Sequence, residues 1–310
     1  MNVLVTGSSG FVGSSLLQLL STHNIDVLPV VRNKNSNGFF VKSINGKTDW
    51  HRAFEGIEVV VHLAGCVHKM NDEVSLKEYS EINVDGTLNL AKSAADNGVR
   101  RFIFISTIKV NGESTTRTRA FEAGDDCNPQ DAYGVSKYQA EVELFKISKQ
   151  TGMEVVIIRP PLVYGKGVKG NFYNLLKLSD TAIPLPFGVI NNHRSMIYVG
   201  NLVDFILKCI SHPAAANQTF LVSDDEDLSL PRLLGLLRAD FKRARRLIPV
   251  PAFLFHWIAK LTGKSDVVDR LIGDLQIDTY KARQLLEWKP PFMVEEGIKA
   301  TVESYLEGKD

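Results

Sequence analysis

Residues 1–13 read MNVLVTGSSGFVG, and the fold is decided there. Val3, Leu4 and Val5 form a short apolar run that breaks into Gly7, Gly10 and Gly13, and an apolar-periodic segment follows at Val12, Leu16, Leu17, Leu19 and Leu20. The pattern predicts strand, tight turn, helix. Such a turn needs a residue without Cβ where the backbone takes unusual dihedrals, another where the chain lies against a pyrophosphate, and a third where helix meets strand. The helix N-terminus then offers free N–H groups and the positive end of its dipole to phosphates. Taken alone the turn says little, because glycine-rich turns join many strands to helices.

Working outward, DVLPVVRN predicts a second strand over about 27–31 that ends at Arg32. In a dinucleotide-binding fold an acidic residue at this point accepts from the adenosine ribose of NAD. A guanidinium cannot accept, but it pairs with the 2′-phosphate of NADP; the alternative is an arginine stacked on adenine without phosphate selectivity. Residues 33–45 are polar and read as loop with a weak third strand. IEVVVHLAG (57–65) is a continuous apolar run of the kind that suits a parallel strand covered on both faces, and it ends in the small residues Ala64 and Gly65. His62 within it reads as a packed strand residue. The polar loop from Cys66 to Ser80 reads as able to fold over a substrate. In NVDGTLNLAKSAADNG the spacing predicts a helix that opens at Asn83 and stops before Gly98.

RFIFIST (101–107) predicts another buried strand, ending in the hydroxyls of Ser106 and Thr107. Further on, DAYGVSKYQAEVELFK carries small and apolar residues at helical spacing, so Tyr133 and Lys137 share one helix face a turn apart. An ammonium beside a phenol favours the phenolate, which predicts a Tyr133 pKa drawn down from about 10 toward the working range. A threonine hydroxyl at the strand end can hold a substrate oxygen in line. A YxxxK pair is by itself more often a solvated helix face. Joined to the N-terminal glycines, to HLAG and to a strand ending in Ser-Thr, it points to chemistry.

Composition sets the outer bounds. With 310 residues, 44% hydrophobic, 23% charged and a net charge of +1, the chain is an ordinary globular protein with no electrostatic case for nucleic acid. Cys66, Cys127 and Cys209 are widely spaced and odd in number, and read as reduced thiols of a cytosolic protein. The histidines form no ligand-spaced pair, so no metal is expected. No apolar run reaches the length of a bilayer span. AFLFHWIAKL (252–261) reads as a partly buried helix in preference to an interfacial anchor. LRADFKRARRL (237–247) reads as a solvated helix face in preference to a patch for a membrane or an acidic ligand. From about Pro160 the strand–helix alternation becomes irregular, which divides the chain into residues 1–160, a dinucleotide-binding domain to which later segments return, and residues 161–310, mainly a substrate region.

These residues resemble the extended short-chain dehydrogenase/reductases of the nucleotide-sugar epimerase/dehydratase family, over nearly the whole chain. The resemblance implies an α/β fold, a Rossmann-type doubly wound parallel sheet with a smaller α+β C-terminal region. It implies NADP(H) or NAD(H) held by Gly7, Gly10, Phe11, Val12, Gly13, Arg32, Leu63 and Ala64, with Tyr133 and Lys137 at the nicotinamide ribose. Tyr133 would be the acid/base, Lys137 would tune it, and Thr107 would orient the sugar oxygen. NNHRSMIYVGNLVD would bring Arg194 to the diphosphate of a UDP-sugar, with Lys109, Asn171 or Lys169 adding contacts, and DTYKARQLLEWKP would be the family's C-terminal helix. A homodimer is also implied. Arg32, Ser43 and Leu162 depart from what UDP-glucose 4-epimerases carry at these points. They rank an NAD(P)-dependent oxidoreductase acting at C4 of a UDP-linked N-acetylated hexose, with or without a C6 hydroxyl, first. A UDP-hexose 4-epimerase with tightly held NAD comes second, and a non-catalytic NAD(P)-sensing protein third.

Overall fold

The computed structural model describes residues 1–66, 76–263 and 265–309. In chain order its strands are β1 (Asn2–Thr6), β2 (Asp26–Val31), β3 (Phe39–Phe40), β4 (Val59–His62), β5 (Arg101–Ile105), β6 (Glu154–Arg159), β7 (Leu162–Tyr164), β8 (Arg194–Tyr198), β9 (Gln218–Leu221) and β10 (Asp227–Leu228). The helices are α1 (Phe11–Thr22), α2 (Leu76–Tyr79), α3 (Thr87–Asp96), α4 (Ala132–Thr151), α5 (Gly170–Ser179), α6 (Val199–Ser211), α7 (Leu230–Asp240), α8 (Ala252–Thr262), α9 (Ser265–Ile272), α10 (Tyr280–Leu286) and α11 (Val294–Glu307).

Seven strands form one parallel sheet in the order β3-β2-β1-β4-β5-β6-β9. The continuous apolar runs are explained by what covers the two faces. Val3, Val5, Val59, Val61, Ile103, Val156 and Ile158 pack with α1 and α6, while Leu4, Val60, Phe102, Phe104, Val155 and Ile157 pack with α3 and α4. Alternate residues thus enter separate cores, and neither face can be polar. The order of strands reverses between β1 and β4, and a crevice opens at their carboxyl ends, where ligands of doubly wound sheets bind. A second sheet, β10-β8-β7, packs with α5, α7 and α11 around Tyr164, Phe172, Met196 and Ile298.

Two local expectations change, and two gain detail. The helix expected to open at Asn83 runs in from α2 through wider π-type turns over Ser80–Gly86. Asn83 does not cap it, because its side chain bonds Cys66 and Ser136 instead. The basic run is no helix face: α7 stops at Asp240, and Lys242 and Arg246 take positive φ. The buried guanidinium of Arg238 holds that loop by donating to the carbonyls of Ala244, Arg245 and Arg246. The segment 252–261 does form a helix, but of α8 only Ala259 is buried. Finally, DTYKARQLLEWKP supplies α10, and α11 follows it.

Candidate active site

At the carboxyl edge of the sheet the chain leaves β1 through Gly7, whose φ of +69° is left-handed. A Cβ there would lie 2.8 Å from the Ala64 nitrogen, so the turn after β1 and the end of β4 touch backbone to backbone. At Gly13 a Cβ would meet the Gly7 carbonyl oxygen at 2.2 Å. Only glycine allows α1 to sit this close to the turn. No side chain caps α1 at Gly10, which leaves its first N–H groups facing the crevice with Phe11 and Val12 in the first turn. A helix start without its own cap, ringed by positions that tolerate no side chain, fits a dinucleotide pyrophosphate. Ser8 Oγ donates to the Val30 carbonyl at 2.9 Å, tying this turn to β2, beyond whose end Arg32 is exposed. Leu63 and Ala64 are fastened to Thr6 through its carbonyl and its hydroxyl.

His62 is a packed strand residue. It bonds the hydroxyls of Thr6 at 2.6 Å and Thr87 at 2.9 Å, and burial, with Lys137 adding to it, depresses its pKa to about 3. It stays neutral at any working pH.

Asp131 opens α4, its Oδ1 accepting from Gly134 N at 2.7 Å. The same carboxylate pairs with Lys109 at 2.5 Å, and Lys109 also reaches Glu113 at 2.9 Å. Burial works against the Asp131 charge, yet the Lys109 and Gly134 donors outweigh it and hold the carboxyl below its usual range. Thr107, half-buried after β5, accepts from Lys109 N and begins the short turn Ile108–Val110. Through Asp131 and Lys109 the first turn of α4 is therefore locked to the segment that carries Thr107. One turn into the helix, Lys137 is buried with its Nζ 4.1 Å from the centre of the Phe104 ring and close to Gly65. Burial lowers its pKa to about 7, with Glu141 opposing.

The Tyr133 phenol differs from expectation. Burial, then Asp131, Tyr79 and Cys66, push it above its ordinary value instead of below. Burial is the largest cause, and it disfavours the charged form of Lys137 as well.

On the substrate side, Arg194 begins β8 and donates to the Gly273 carbonyl at 3.2 Å, with Asp274, Glu113 and Arg270 as charged neighbours. Burial lowers its pKa, the two carboxylates opposing. Asn171 and Lys169 are exposed at the start of α5, where Lys169 flanks the first residue. The expected covering loop from Cys66 to Ser80 falls mostly outside the described residues. Among the described residues there is no group of histidine, cysteine and carboxylate side chains that could hold a metal ion.

Several supports were not read from the sequence. Arg159 on β6 donates to Glu141 of α4 at 2.5 Å and to Asn111 at 2.9 Å, both carboxylate and guanidinium being buried, and Ser106 also donates to Glu141. This network sits behind Thr107 and Lys137. The ring of Tyr79 lies 6.2 Å from that of Tyr133, and its buried hydroxyl has no hydrogen-bond partner among the described residues. An acidic residue two places before Tyr133 was the available sign of a helix cap. Nothing in the local pattern around Tyr79 pairs it with α4.

Residues 3–223 match the NAD dependent epimerase/dehydratase family. The chain is 45% identical to a UDP-glucose 4-epimerase of Vibrio cholerae, covering 100% of this chain and 97% of the relative. It is 28% identical to an N-acetyl-alpha-D-glucosaminyl-diphospho-ditrans,octacis-undecaprenol 4-epimerase of Escherichia coli O157:H7, over 97% of this chain and 94% of that one. Among solved structures, UDP-glucose 4-epimerase with UDP-glucose from Thermotoga maritima superposes with a TM-score of 0.80 at 23% identity, covering 100% of both chains. At that identity the likeness speaks for the fold alone.

Proposed function

The chain belongs to the NAD dependent epimerase/dehydratase family, and from that premise we propose that it epimerises a UDP-linked hexose at C4. The observation that carries a C4 reaction is that the Lys109–Asp131 pair ties the segment bearing Thr107 to the first turn of α4, which carries Tyr133, while buried Lys137 approaches Gly65, next to the Ala64 backbone that abuts Gly7. The Vibrio cholerae relative, alike along its whole length, supports epimerisation over net reduction and so reverses the order suggested by Arg32. In this reading Gly7, Gly10, Phe11, Val12, Gly13, Leu63 and Ala64 hold the cofactor, with Arg32 at its adenosine end, and residues 161–310 mainly receive the sugar nucleotide. NAD supplies hydride exchange when bound.

The remaining work belongs to the chain. Tyr133 takes the proton of the C4 hydroxyl as that carbon is oxidised, and returns it once the keto sugar has turned its other face. Thr107, fixed by the Lys109 amide, orients the C4 oxygen. Lys137, whose proton is weakly held in its buried site, raises or lowers the proton affinity of Tyr133 according to its own charge. Arg194, with Lys109 and Asn171, pairs with the diphosphate. We place the enzyme in the cytoplasm as a homodimer.

A second reading, a UDP-4-keto-sugar reductase, rests on Arg32, which suits a 2′-phosphate. One experiment separates the two. Denatured enzyme is expected to release NAD in about equimolar amount, and turnover of UDP-glucose or UDP-N-acetylglucosamine to leave absorbance at 340 nm unchanged. Consumption of NADPH with a UDP-4-keto sugar, and no bound NAD, would replace the first reading with the second.

A further inference from the structure

The face of α8 that looks away from the body is apolar and open. Phe253 is 67% exposed, Trp257 63%, Ile258 53% and Leu261 68%, with Leu254 beside them. Their spacing puts them on one stripe of the helix. The opposite side already has its contacts: Phe255 stacks on Phe187 at 5.3 Å, Ala259 is buried, and His256 Nδ1 lies 3.4 Å from Asp269 of α9. The outward stripe is therefore surplus to folding. Ahead of it in the chain, the stretch 246–248 bonds the backbone of Leu185 and Gly188 and carries exposed Ile248. Isolated exposed apolar side chains need no explanation, but a contiguous set of this kind marks a surface that meets something.

Charge says what that something is. Residues 241–263 contain Lys242, Arg243, Arg245, Arg246 and Lys260 and no Asp or Glu, in a chain whose net charge is only +1. All five are exposed, and Arg238 pins the loop bearing four of them by its bonds to the carbonyls of 244–246 on one side and Ile183 on the other. A short helix with tryptophan, phenylalanine and leucine on one face, preceded by a cationic loop, suits the interface of an anionic bilayer. Arg243 pairs with Asp180, and Asp269 of α9 lies beside His256, yet residues 241–263 themselves carry only cations beside the apolar stripe, which favours an anionic surface. No helix of the described residues is long and apolar enough to cross a membrane, so the helix would lie on it.

We propose that α8 and the loop 242–246 form a docking surface for an anionic lipid bilayer. This surface adjoins the cleft, since α8 packs on α9, whose Arg270 lies 4.0 Å from Glu113, the partner of Lys109. Docking sets the cleft mouth beside the lipid headgroups.

The test is sedimentation of the full chain with vesicles of phosphatidylethanolamine and phosphatidylglycerol, against vesicles of phosphatidylcholine alone. Binding to the anionic vesicles is expected, with a blue shift of Trp257 emission. The double variant Phe253→Glu/Trp257→Glu should weaken it about tenfold or more while turnover of a soluble UDP-sugar stays unchanged. A second variant, Lys242→Gln/Arg245→Gln/Arg246→Gln, leaves the apolar stripe intact and should lose the preference for anionic over neutral vesicles. No binding by the parent chain overturns the proposal, as does equal binding by both variants. So does a parent oligomer that the double variant converts to monomer in the absence of lipid, which would assign the stripe to a second copy of the chain.

Discussion

At the scale of single residues, two side chains of α4 differ from what their spacing suggests. Tyr133 and Lys137 do lie one turn apart, but burial moves both away from their charged forms. Tyr133→Phe is expected to lower the C4 reaction by about 10² to 10⁴ while UDP-sugar binding, followed calorimetrically, survives. Near-normal turnover would remove Tyr133 from the chemistry. For Lys137 the folded pKa of about 7 lies below the ordinary 10.5. Between those values the unfolded chain holds a proton that the folded side chain lacks, so this group makes stability rise with pH across the window, and below pH 7 its cost is paid in full. Lys137→Met should flatten that rise and stabilise the cofactor-free protein near neutrality, as read from urea midpoints at several pH values. Arg32→Ala should weaken NADPH more than NADH; equal losses, in a fluorescence titration, would mean that the guanidinium only stacks.

The element that repays attention is the strand–turn–helix at the N-terminus. Its glycines were legible because three separate steric demands leave no other residue type at these places. Gly13 is the tightest, since an added methyl would have to displace the Gly7 carbonyl. Gly13→Ala is expected to cost about 1–3 kcal/mol by overpacking and to lower dinucleotide affinity with it. Thermal melting with and without NAD checks both, and an unchanged melting temperature in each condition would show that α1 can move away. By contrast, how the helix around Asn83 begins and the fate of the basic run were not legible. Helix boundaries there depend on Asn83 bonding Cys66 and Ser136, far from it in sequence, and on Arg238 turning back to the carbonyls of 244–246, a contact that helical spacing does not record although both ends lie in one short stretch.

At the scale of the molecule, Trp288 helps fasten the C-terminal stretch to α6, in the same core that Ala282 and Leu286 of α10 enter. Trp288 is 4% exposed, its ring 4.9 Å from Phe205 of α6, and its Nε1 donates to Asp204 at 2.7 Å. Trp288→Ala is expected to cost about 3–5 kcal/mol, seen as a lower urea midpoint. A loss well under this would show that α10 and α11 are held chiefly by their other contacts. The continuous apolar runs, the three glycines and the YxxxK spacing by themselves determined a parallel sheet and a crevice suited to a dinucleotide, because those depend on short-range sterics and on uninterrupted stretches that any reader of the chain can count. What only the tertiary structure decided is which charges survive burial at Tyr133 and Lys137, how Arg159 and Glu141 brace the segment behind them, and that α8 turns its aromatic side outward. Each of these depends on residues far apart in sequence sharing one low-dielectric neighbourhood, or failing to, and no local pattern records that.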